Sequence, residues 1–172
     1  SLVAGSGHAC TRLSTGQVKC WGRNNVGQLG LGDTAHRGDA AGEMGDMLPT
    51  VNLGTGRTAT ALTAGGAHTC ALLDTGEVKC WGQNGFRLGV GDSADRGDAA
   101  GEMGDALPAV NLGTGRTATA LAGGWEQTCV LLDTGQVKCW GLNNYGDLGL
   151  GDNLSRGITA GQMGDALPAV NL

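Results

Sequence analysis

A chain of 172 residues, 40% of them hydrophobic, is long enough for about one ordinary domain with a sizeable core. Its net charge is −5 and its eleven lysines and arginines are scattered, which argues against a phosphate-binding stripe and so against nucleic acid as a partner. No apolar run approaches the ~20 residues of a helical membrane span, and with six aromatic residues against 34 glycines the chain must pack with Leu, Val, Ala and Cys and turn often.

In chain order, the small apolar stretch at 1–5 reads as a first strand. "HACTRLSTGQVKCWG" follows from His8, with two cysteines framing a tight turn. "WGRNNVGQLGLGD" and a long acidic, glycine-rich loop come next, then "LPTVNLG" and the connector "GTGRTATAL". The order then repeats. Cys10 matches Cys70 at an offset of 60, and Cys70 matches Cys129 at 59, because "WGQNGFRLGVGD" is one residue short. The units are 1–60, 61–119 and 120–172, the third stopping before the next connector.

Four strands are predicted in the middle unit: "ATALTAG", "HTCALLD", "EVKCWG" and "LPAVNLG". Asp74-Thr75-Gly76 suits a three-residue hairpin loop with glycine in the left-handed position. Setting Leu73 opposite Glu77 puts Cys70 opposite Cys80, within disulfide reach. The same register pairs Cys10 with Cys20 and Cys129 with Cys139. Free buried thiols and zinc ligands are the competing readings, although zinc needs ligands in fours and each pair here stands alone. Disulfides imply an oxidising compartment, so the chain is expected to be extracellular or on a cell surface. The loop "GDAAGEMGDALP" has room for one helical turn.

"GGAHTCALLDTGEVKCWGQN" and "WGRNNVGQLGLGD" resemble the regulator of chromosome condensation repeat, and the resemblance runs through all three units. It implies an all-β fold of four-stranded blades of the β-propeller type, with each repeat giving about one blade of a ring that is commonly seven-bladed. Three departures stand out: three units, paired cysteines and the acidic insertion "RGDAAGEMGDALPAV". The best-known member exchanges nucleotide on a small GTPase and binds chromatin. The acidic balance and the cysteines argue against both roles here. Secreted relatives act as protein-binding propellers, so fold transfers more safely than function.

His8 and His68 occupy equivalent places where the third unit has Gln127, so a structural role is expected of them. Trp21, Trp81 and Trp140 open the "WGxN" phrase and are read as packing between blades. Trp125, placed against Ala67 and Gly7 of the other units, is the candidate contact residue. His36 reads as a surface loop residue. The "RGD" at Arg37 and Arg96 is read as a product of duplication, and the acidic loops around Glu43 and Glu102 as solvated. Asn153-Leu154-Ser155 is an acceptor pattern for N-linked sugar. No catalytic constellation emerges, and no cofactor or metal is expected.

Three blades are too few to close a propeller, so the outer faces of the first and last are expected to seek partners. The chain is read as a segment of a longer array or a protomer whose ends meet a neighbour. The leading expectation is a non-catalytic extracellular structural protein that assembles with itself, through repeat-to-repeat contacts, into a fibre or surface layer. The alternative is a secreted binding propeller, an adhesin or enzyme inhibitor.

Overall fold

The computed structural model describes residues 1–172. The strands are β1 (Leu2–Ala4), β2 (His8–Arg12), β3 (Val18–Gly22), β4 (Ala59–Ala64), β5 (His68–Leu73), β6 (Val78–Gly82), β7 (Ala118–Gly123), β8 (Gln127–Leu132) and β9 (Val137–Gly141). Each consecutive trio forms an antiparallel sheet in chain order. The helical content is four three-residue 3-10 turns, at Gly45–Met47, Gly104–Ala106, Ala160–Gln162 and Gly164–Ala166, inside the acidic loops. No helix is long and apolar enough to cross a membrane.

The hairpins take the expected register. Leu73 N donates to Glu77 O at 2.8 Å, and Gly76 turns the chain with φ 80°. Counting inward from that bonded pair, Cys70 and Cys80 fall on a non-hydrogen-bonded pair, the closer kind in an antiparallel ladder. Their Cα atoms are 4.1 Å apart and the sulfurs are bonded, as they are for Cys10–Cys20 and Cys129–Cys139. No cysteine is free.

The strand count needs correction: each sheet has three strands, not four. "LPAVNL" runs beside β6 but makes one ladder bond, Val110 N to Val78 O at 2.8 Å. The reason is where its other groups go. Pro108 has no N–H to give. The Asn111 carbonyl accepts from Gly164 N and the Leu112 carbonyl from Lys138 Nζ, both in the following unit. The segment stitches neighbouring units together instead of completing its own sheet.

The core lies between sheets. One cluster packs Cys10, Cys20, Val18 and Leu29 of the first unit against Leu62, Leu73, Trp81 and Leu107 of the second. The other packs Cys70, Cys80, Val78 and Leu88 against Val130, Leu132, Trp140 and Leu167. Each sheet therefore turns a cystine face toward its successor and a tryptophan face toward its predecessor. Each fully buried leucine contributes roughly 1.5–3 kcal/mol, so most of a unit's apolar stabilisation comes from its neighbours.

Candidate interaction surface

The joints between units share one chain of polar contacts. His8 Nε2 lies 2.9 Å from Thr69 Oγ1, and that hydroxyl donates to the Gln28 carbonyl at 3.0 Å. The Trp81 indole N–H donates to the same carbonyl at 3.1 Å. Because the Thr69 proton is committed, His8 must carry its proton on Nε2. At the next joint His68 Nε2 meets Thr128 Oγ1 at 3.0 Å, and Thr128 Oγ1 and Trp140 Nε1 both reach the Arg87 carbonyl. Both histidines are buried with Nδ1 unpartnered. Burial pushes His8 down to about 4 and His68 to about 3, the latter also lowered by the nearby Arg87 charge.

Two further links recur. Lys79 Nζ donates to the carbonyls of Leu53 in the preceding unit and Gly104 in its own, and Lys138 repeats this with Leu112 and Gly164. Thr55 gives its N–H and hydroxyl to Asp105, and Thr114 does the same for Asp165. These hydrogen bonds hold both carboxyls below the usual aspartate range. Sequence reading passes over Thr69, Thr128 and both lysines. The signal was the invariant "KCWG" and the paired "TC", unassignable without knowing which unit each side chain faces.

Two faces meet no neighbour within these residues. On the first unit Leu2 is 67% exposed while its counterpart Leu62 is 7% exposed. Trp21 is half-buried and its indole N–H has no acceptor, whereas Trp81 and Trp140 are fully buried. On the third unit Cys129 is partly exposed, where Cys10 and Cys70 are sealed.

Trp125 is 68% exposed. Its counterparts are Gly66 and Ser6, not Ala67 and Gly7: Gly66 N donates to Trp125 O just as Ser6 N donates to Gly66 O. Glu126 takes the place of Ala67 and Gly7 and forms an ion pair with Arg87 of the "NGFRLG" variant. Tyr145, not singled out from sequence, is 94% exposed and shares with Trp125, Leu142 and Asp147 the lining of a cavity of about 160 Å³.

The remaining candidates have structural partners. Arg37 and Arg96 of the "RGD" phrases are ion-paired to Asp33 and Asp92 at 2.6 and 2.5 Å. Glu43 accepts from the N–H groups of Gly38, Asp39 and Ala40, and Gln162 closes the third loop the same way, which explains why Gln replaces Glu. His36 is exposed, yet its Nδ1 accepts from Asn24 N at 3.0 Å. Asp95 and Ser155 perform that task for Asn84 and Asn143. Ser155 thus has a structural role besides its place in the acceptor triplet, and Asn153 is exposed.

The family model described as Regulator of chromosome condensation (RCC1) repeat matches residues 1–28, 59–87 and 118–147, and a second model of that repeat matches residues 15–72. The chain belongs to this repeat family. It is 30% identical over 154 residues to the ultraviolet-B receptor UVR8 of Arabidopsis thaliana, covering 88% of this chain and 31% of that protein. It is 33% identical over 153 residues to Protein RCC2 of Mus musculus, covering 87% and 26%. The chain spans about a third or less of the length of these curated relatives. Among solved structures, yeast RCC1 (Prp20) bound by Kap60 superposes on all of the chain and 37% of its own length, with a TM-score of 0.68 at 16% identity. Prp20p from Saccharomyces cerevisiae covers 87% of the chain with a TM-score of 0.59 at 24% identity, over 33% of its own length. These likenesses establish the RCC1 propeller fold for the three sheets. RCC1-type repeats of this kind form protein-interaction modules.

Proposed function

We propose that this chain is a non-catalytic, extracellular repeat protein that works by contact between repeats, joining to copies of itself. The observation that carries the reading is that the units are held together by contact between repeats, with Cys10, Val18 and Leu29 of the first packed on Leu62, Leu73 and Trp81 of the second, and Cys70, Val78 and Leu88 packed the same way on Val130, Leu132 and Trp140 of the third. The three disulfides are compatible with life outside the cytosol. Exposed Asn153 is the site at which an N-linked sugar fits this localisation. Sedimentation velocity of the oxidised chain over a wide concentration range tests the assembly. Mass rising with concentration supports it, and a constant single-chain mass overturns it.

A second reading has its own observation. Trp125 and Tyr145 are exposed and line one cavity, whereas Trp81 and Trp140 are fully buried. Exposed aromatics beside a small cavity favour a binding propeller that holds a different protein, the adhesin or inhibitor class. A saturable extracellular partner lost on Trp125→Ala with Tyr145→Ala supports this reading. Unchanged capture by that double variant counts against it.

A further inference from the structure

We infer that two contacts at the second joint, Gly66 with Trp125 and Arg87 with Glu126, fix the order in which the units pack: they seat the third unit on the second and disfavour it on the first. This does not rest on the assembly reading above, because both joints lie inside the chain.

The two joints share most of their contacts, and shared contacts carry no order. His8 meets Thr69 as His68 meets Thr128. Trp81 reaches the Gln28 carbonyl as Trp140 reaches that of Arg87. Lys79 and Lys138 make matching links, and so do Thr55 and Thr114. With these alone, the cystine face of the first unit would accept the third unit as readily as the second. Adjacency in the chain would be the only bias, and repeat proteins misassemble under such conditions.

Two contacts break the equivalence. Trp125 lies so close to Gly66 that a Cβ added there would stand 3.0 Å from its carbonyl oxygen and 3.3 Å from Cε2 of its ring. The first unit has Ser6 at that place, so a third unit set on the first would bring its indole against a side chain. The second contact is electrostatic. Arg87 and Glu126 are paired, with side chains 13% and 27% exposed. The same places at the first joint hold Gln28 and Ala67, and the Gln28 amide turns back onto Val26 N–H and Asn25. A third unit on the first would leave the half-buried Glu126 carboxylate without its cation. Stability alone does not account for the pair. The shortened loop that carries Arg87 holds Phe86 at φ 80°, the one residue other than glycine with a positive φ. That strain offsets much of what a partly exposed ion pair returns. It is present in right and wrong joints alike, so it cancels from the difference between them, and that difference is what sets specificity.

Oxidative footprinting of the full chain, refolded from urea with its disulfides intact, tests this. Trp81 is sealed by the first unit and Trp140 by the second. A third unit on the first displaces the second and uncovers Trp81 while Trp140 stays covered. A third unit merely loosened uncovers Trp140 alone. Trp125→Gly with Arg87→Gln and Glu126→Ala makes the two joints alike at these places. It is expected to raise the share of chains labelled at Trp81 at least about fivefold over wild type, the population weight of one such pair. Arg87→Glu alone is expected to raise that share too, through facing like charges. Arg87→Glu with Glu126→Arg keeps a matched pair and is expected to return the wild-type pattern. A triple variant that folds and is labelled at Trp140 alone, or at neither tryptophan, overturns the inference. So does an exchanged pair labelled at Trp81 as heavily as Arg87→Glu alone, the comparison that decides if the triple variant does not fold.

Discussion

The guanidinium of Arg87 and the carboxylate of Glu126 form an ion pair across the joint between the second and third sheets. Both residues belong to departures from the repeat: Arg87 to the shortened "NGFRLG" loop and Glu126 to the altered stretch that carries Trp125. Two irregularities that look independent along the chain are the two halves of one contact.

That pair marks a single joint among near-identical units. Arg87→Gln and Glu126→Ala are expected each to lower stability modestly. In a double-mutant cycle read by thermal unfolding, their coupling is expected to be about 1 kcal/mol. Strict additivity would show that the pair contributes nothing.

The buried histidines make stability depend on acid. In the unfolded chain they protonate near pH 6.5, while in the fold His8 stays neutral to about 4 and His68 to about 3. Between those values the unfolded state binds more protons, so acidification destabilises the fold by up to ~1.4 kcal/mol per pH unit per histidine. Their effect is absent above pH 6.5 and stops growing below about pH 3. His8→Gln with His68→Gln, the residue natural at 127, is expected to flatten the slope of urea midpoints between pH 6.5 and 4. An unchanged slope would assign the acid sensitivity elsewhere.

Limited reduction should be ordered. Cys10, Cys20, Cys70 and Cys80 are sealed between sheets, whereas Cys129 is partly exposed. Thiolate attack needs access to a sulfur. Low dithiothreitol followed by alkylation and peptide mass analysis is expected to label Cys129 and Cys139 first. Simultaneous labelling of all three pairs would contradict the sealed joints.

Gly27 and Gly146 separate backbone strain from contact. Their φ values are 76° and 79°, so an alanine is strained alike at both. Only at Gly27 would its Cβ also strike a neighbouring unit, 2.4 Å from Asp98 N. Gly27→Ala is expected to cost at least about 2 kcal/mol more than Gly146→Ala in chemical unfolding of the single chain. Equal costs would remove the contact at Gly27 as a determinant.

The hairpins, their register and the cysteine pairs were legible because each depends on residues within about ten positions: period-two patterning, a glycine-ended turn and two cysteines facing each other. The family likeness was legible for the same reason, being carried by short repeated phrases. The predicted fourth strand failed because Asn111 and Leu112 bond to the following unit, a choice that local pattern does not contain.

What neighbours in the chain could settle, the amino-acid order settled: three copies of one stapled hairpin module, all-β and rich in turns. Which leucine is sealed and which lies open, which carbonyl receives a tryptophan, and which two irregular residues meet emerged only when the sheets were set face to face. Leu2 and Leu62 sit in equivalent places in their modules, and the preceding sheet alone makes one of them core. Burial and electrostatic pairing here are properties of the joint between modules, and a joint has no local signature in a sequence.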